Sequence, residues 1–212
     1  MEKNSGRWSV ARKRARGIAA HMFVFLTVCL QTETVCADTA LEQVKSNSEK
    51  LIAILDDKSY RASHTRDELN EKLRAIVHDK FDWYEIAQRS LGLYWKERSE
   101  EEQREFTALL TNLLESTYIN KVVDNYSGEK VLYDKEIIDG TRAMVETRII
   151  NQAEKEVSVG YRLLKKDSFW VAYDVIIEGV SLVKNYRVQC YDIIRQSSYN
   201  ELLKKIKEKQ VK

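Results

Sequence analysis

The stretch TRAMVETRIINQAEKEVSVGYRLLKKDSFWVAYDVIIEG, residues 141–179, decides the fold. Its side chains alternate. Ala143, Val145, Thr147 and Ile149 recur at every second position. So do Val157, Val159, Tyr161 and Leu163, and then Phe169, Val171, Tyr173, Val175 and Ile177. A period of two puts each set on one face of a β-strand. Turn residues punctuate the pattern at Asp139-Gly140, Asn151-Gln152 and Lys166-Asp167-Ser168. Four strands are predicted, at about residues 129–138, 141–150, 155–165 and 169–178. Connections this short make consecutive strands antiparallel neighbours. The intervening positions carry Arg142, Glu146, Arg148, Ser158, Arg162, Asp174 and Glu178, so one face is buried and the other wet. The first strand is ambiguous, because Val131, Tyr133 and Ile137 compete with Leu132 and Ile138. Gly179 breaks the sheet.

Before and after the meander the period is helical. Leu41, Val44, Ser48, Leu51, Ile52 and Leu55 mark a helix from about Thr39 to Asp57. Thr65 with Glu68, and Ser99 with Glu102, have the spacing of capping boxes. The first opens a helix carrying Leu69, Leu73, Ile76 and Val77. The second opens the longest, Glu100 to Asn125, with a stripe from Phe106 through Leu109, Leu110, Leu113, Leu114 and Tyr118. Asp82 caps a short helix that ends near Gly92. Two C-terminal helices follow, near Ser181–Arg195 and Ser198–Lys209. The fold class is α+β: a twisted antiparallel four-stranded sheet packed with several helices.

At the other end of the chain, Arg7, Arg12, Lys13, Arg14 and Arg16 precede the apolar run GIAAHMFVFLTVCL, residues 17–30. Val35-Cys36-Ala37 then offers a cleavage site before Asp38. This is the layout of a secretory signal peptide, and the run is too short for a spanning helix. The domain reading is therefore 1–37 as a cleaved leader and 38–212 as one exported domain. Within it, 38–127 is mainly helical, 128–179 the sheet and 180–210 the C-terminal helices. Without the leader the chain carries 29 Lys and Arg against 31 Asp and Glu, a net charge of −2. That balance argues against a nucleic-acid binder. Cys29 and Cys36 leave with the leader, so Cys190 alone can form neither an internal disulfide nor a thiolate metal site. His64 and His78 lie in unrelated segments without ligand spacing. No phosphate loop, dinucleotide-binding turn or nucleophile elbow occurs. No cofactor and no metal is expected.

Two segments carry a family resemblance. One runs through FDWYEIA (81–87), LGLYW (91–95) and SEEEQ (99–103) to Phe106. The other is WVAYDVIIEGVSLVKNYR, residues 170–187. They resemble the MlaC family, also called the toluene-tolerance auxiliary proteins, and the likeness runs from about Leu41 to Lys207. The resemblance implies a periplasmic carrier, not an enzyme. It would shuttle glycerophospholipid between an outer-membrane lipoprotein complex and an inner-membrane ABC transporter complex with an MCE-domain subunit, and so maintain outer-membrane lipid asymmetry. It also implies an NTF2-like sheet, an apolar cavity for acyl chains and no cofactor. One departure stands at Val188-Gln189-Cys190, where the family pattern calls for an aromatic in place of Cys190; the cavity shape there is left open.

With the alternation, this points to the lipid-binding residues. Val145, Ile149, Val159, Tyr161, Leu163, Val171, Tyr173, Val175 and Ile177 would form the sheet wall. Leu113, Leu114 and Tyr118 would close one side, and Val180, Leu182 and Tyr186 another. Lys184 or Arg187 would meet the headgroup. The cavity should lie near the top of the usual ligand-pocket range of about 300–1,000 Å³. Two other classes remain open: an exported enzyme with Asp174 as base, disfavoured because Asp174 alternates onto the polar face, and a structural adaptor with a solid core.

Overall fold

Local chemistry starts the helices. The computed structural model describes residues 39–210, and the leader expected at 1–37 lies outside the described residues. Thr39 and Glu42 exchange hydrogen bonds of 2.8 and 3.2 Å at the head of α1 (Ala40–Asp56). Asp57 caps a six-residue helix with no buried side chain, α2 (Lys58–Ser63), which the apolar pattern does not announce. Thr65 and Glu68 close the capping box of α3 (Arg66–Val77). A 3₁₀ turn, His78–Lys80, leads to Asp82, which caps α4 (Trp83–Leu91). The other Asp82 carboxylate oxygen pairs with Lys166 at the far end of the sheet. Gly92 ends α4 at φ +58°, and a side chain there would strike the Tyr191 hydroxyl. That hydroxyl accepts a 2.8 Å bond from the Leu93 amide, so glycine is needed for both the turn and the close approach. After a second 3₁₀ turn, Gly92–Glu97, Ser99 and Glu102 open α5 (Glu100–Asn125), whose first turn holds three glutamates at the positive end of the helix dipole. Such caps stabilise by about 1 kcal/mol each.

The sheet runs in sequence order with every pair antiparallel: β1 (Lys130–Asp139), β2 (Arg142–Ile150), β3 (Glu156–Lys166), β4 (Phe169–Ile177) and β5 (Val180–Ser181). It has five strands, not the four expected. Glu178 and Gly179 take φ of +49° and +76° and turn the chain back, so Val180 pairs with Ile177 and Ser181 with Ile176. A two-residue loop with both φ values positive suits a tight hairpin. Gly179 thus turns the chain rather than breaking the sheet. Ser181 then caps α6 (Leu182–Gln196), followed by α7 (Tyr199–Gln210).

Two bulges correct the alternation. In β1 the register steps over Asp134: Tyr133 opposes Thr147, but Lys135 opposes Glu146. The inward set changes from Val131 and Tyr133 to Glu136 and Ile138, opposite Val145 and Ala143, which resolves the ambiguity of that strand. In β4 the register steps over Tyr173: Leu163 opposes Ala172, whereas Arg162 opposes Asp174. An inserted residue shifts the alternation by one position. Trp170 and Ala172 therefore face inward before the bulge, and Val175 and Ile177 after it. The unbroken series Phe169, Val171, Tyr173, Val175, Ile177 does not hold.

The buried side chains form three clusters. Ile86, Leu91, Phe106, Leu110, Val183 and Leu202 join α4, α5, α6 and α7. Ala40 and Val44 of α1 pack on Val145, Leu163, Trp170 and Ala172 of the sheet. Leu55, Leu69, Leu73 and Ile119 tie α1 and α3 to α5.

Candidate functional site

Where the three clusters meet they leave an apolar hollow of about 320 Å³. Members of each reach it: Ile86, Leu114 and Val183 from the first, Val44, Leu163 and Trp170 from the second, Leu73 and Ile119 from the third. The volume lies at the bottom of the usual ligand-pocket range, not near its top as expected. The exposed members of the wall are Lys80 and Val122, which mark where it reaches water.

Ten residues expected from the sequence line the hollow. They are Leu114 and Tyr118 of α5, Ile149 of β2, Val159, Tyr161 and Leu163 of β3, Val175 and Ile177 of β4, and Leu182 and Tyr186 of α6. Five do not. Leu113 lies one residue round α5 and faces a separate cavity. Val145 is fully buried in the cluster under α1. Val171 opposes Leu164, on the side of the sheet away from the hollow, because of the bulge. Tyr173, the bulged residue itself, packs its ring against the Arg89 guanidinium at 4.6 Å. Val180 is 56% exposed, because β5 is an edge strand too short to be covered. Lys184 is exposed and outside the wall, and the Arg187 Nε donates to the Arg89 carbonyl at 2.6 Å, tying α6 to α4.

Other wall residues escaped the sequence reading. Gln43, Asn47 and Ser48 stand beside Val44 and Leu51 on α1, and Ile76 and Val77 come from α3. A signal existed: Ser48 interrupts an otherwise apolar stripe, as a residue facing a space rather than a packed neighbour can. Phe81 and Trp83 stack at 5.1 Å on another flank.

Three polar groups in the wall are buried. Asp174 opposes Arg162 on the polar side of the sheet, where the alternation placed it, but it is 3% exposed and borders the hollow. Its Oδ2 accepts from Ser181 Oγ at 2.7 Å and Arg162 Nη1 at 3.0 Å, and its Oδ1 from the Val183 amide at 3.1 Å. The carboxylate clamps the head of α6 onto β4. Glu115 shares a 2.8 Å hydrogen bond with His78 Nδ1 and sits 3.4 Å from Arg74 Nε. Paired in this way, a buried carboxylate is tolerated. The Ser90 hydroxyl has no partner among the described residues. Burial pushes the phenols of Tyr161 and Tyr186 up to about 12, and that of Tyr118 upward, as a weakly polar interior requires. Among the described residues no group of three or more His, Cys, Asp or Glu could hold a metal ion, and no helix is long and apolar enough to cross a membrane.

The chain resembles known proteins over most of its length. It is 22% identical over 189 residues to the intermembrane phospholipid transport system binding protein MlaC of Haemophilus influenzae, covering 86% of this chain and 88% of that one. Its fold matches the phospholipid-binding protein of Ralstonia solanacearum solved in complex with a phospholipid. The TM-score is 0.71 and the identity 22%, over 82% of this chain and 98% of that one. Residues 45–208 match the MlaC protein family, so the chain belongs to that family.

Proposed function

We propose that this protein carries a phospholipid through an aqueous compartment, with acyl tails in the hollow and the headgroup at its rim. The observation that carries this reading is the apolar hollow where the three core clusters fail to merge. Membership of the MlaC family supports it, as do the relative named for intermembrane phospholipid transport and the structural neighbour solved with a phospholipid.

The energetics define the task. Each exposed methylene costs about 0.8 kcal/mol, so two tails of roughly 30 methylenes cost on the order of 24 kcal/mol in water. A carrier must offset most of this and still release its cargo. A wall of Ile149, Val159, Val175, Ile177 and Leu114 provides the surface. At about 320 Å³ the hollow needs further space to take both tails. At the rim Lys80 is the cation placed to meet a phosphate, in preference to Lys184 or Arg187.

In the finer reading the leader is cleaved after Ala37 and the protein works in the periplasm, on an NTF2-like sheet. There it exchanges glycerophospholipid between an outer-membrane lipoprotein complex and an inner-membrane ABC transporter complex with an MCE-domain subunit, maintaining lipid asymmetry and toluene tolerance. An acid–base role for Asp174 has less support, because three donors already hold its two oxygens. A solid-core adaptor has less support because the core is hollow.

Lipid transfer between donor and acceptor vesicles tests the proposal. Purified protein should speed transfer of a fluorescent phospholipid in proportion to its concentration. A rate equal to spontaneous transfer would overturn it.

A further inference from the structure

A second hollow, of about 260 Å³, lies among α5, α6 and α7. Its floor is Leu110, Leu113, Cys190, Ile193, Leu202 and Ile206. Tyr186 lines both hollows. We infer that the distal end of an acyl tail passes Tyr186 and occupies this second hollow. The inference rests on the phospholipid reading above and names where the tail ends.

Volume makes the first argument. The main hollow is at the bottom of the range for small-ligand pockets, yet the cargo proposed for it is a two-tailed lipid. Adding the second hollow brings the apolar space toward the middle of that range without parting the clusters. Position makes the second. Tyr186 lies one helical turn before Cys190 on α6, so it links the wall of the first hollow to the floor of the second. It is half-buried and borders free space on two sides, so a change of its rotamer is the motion that would join the hollows. Chemistry makes the third. The floor is apolar and unsuited to a headgroup. The lip carries Gln189, Lys205, Glu208 and Lys209, and the stems of the two lysines can cover a terminal methyl while their charges stay in water.

Photolabelling tests this on the unaltered protein. Phosphatidylethanolamine vesicles whose palmitoyl tail ends in a diazirine are incubated with the protein and irradiated, and the adducts are mapped by mass spectrometry. Adducts on Leu113, Cys190 or Ile206 are expected. Adducts confined to Ile149, Val159 or Val175 would overturn the inference and leave the carrier reading intact, whereas no lipid uptake at all would remove both. Filling the second hollow gives an independent reading. Cys190→Phe should retain uptake of dilauroyl lipid and lose about fivefold or more for distearoyl lipid. A chain-length profile identical to that of the unsubstituted protein would count against the second hollow, whose occupant would then be something other than a tail, such as a partner's side chain.

Discussion

The α4–α7 bundle and the wall of the main hollow are built from the same residue types and packed differently. In the bundle Ala87, Leu91 and Phe106 are fully buried and border neither hollow. Around the hollow Ile149, Tyr161, Val175 and Ile177 are only half-buried, because one flank of each faces empty space. An interior normally packs at crystal density, and a void forfeits dispersion contacts along its lining. The bundle therefore supplies stability, and the hollow gives up some of it for a place to hold apolar cargo.

Substitutions in the two regions should separate stability from binding. The largest effect belongs to the bundle: Phe106→Ala should cost about 3–5 kcal/mol in urea unfolding, with lipid taken up per folded molecule unchanged. At the junction, Asp174→Ala strands the Val183 amide and the Ser181 hydroxyl and should cost about 2–3 kcal/mol. Hydrogen exchange should then locate the lost protection at the first turn of α6. In the hollow the order reverses. Val175→Phe fills space that is already empty, so unfolding should shift by less than about 1.5 kcal/mol while lipid uptake falls tenfold or more. A fall in stability matching that of Phe106→Ala would erase the contrast.

Smaller effects sharpen it. Tyr161 and Tyr186 hold their neutral phenols in the fold, with pKa values raised from 10 to about 12 by burial. Their contribution to stability is complete below about pH 10 and is lost as pH rises through about 12. Absorbance titration at high pH should find these two phenols ionising late, and later still with lipid bound. The smallest effect is at the rim. Lys80→Ala should weaken uptake of anionic lipid by about two- to threefold at low salt and by nothing measurable at high salt.

The strands were legible because a half-buried sheet writes its faces into alternate residues, as Val157, Val159, Tyr161 and Leu163 do. The helix starts were legible because Thr65 with Glu68 and Ser99 with Glu102 are local chemistry. The bulges were not. Asp134 and Tyr173 are residues any strand accepts, and only the register against a partner shows that each is unpaired. That one missed residue in β4 misplaced Phe169, Val171 and Tyr173 together. The α1 wall was hidden for a related reason. Val44, Ser48 and Leu51 read as a stripe for packing, and whether such a stripe meets side chains or a void depends on how three clusters close around it. Periodicity records which way a residue faces and not whether anything is there to meet it.

Native mass spectrometry of the protein after incubation with phospholipid vesicles tests the hollow most directly. A population heavier than the bare chain by the mass of a phospholipid, and absent from Val175→Phe, is predicted. The mass of the bare chain alone, from protein shown to be folded, would contradict a lipid-holding interior.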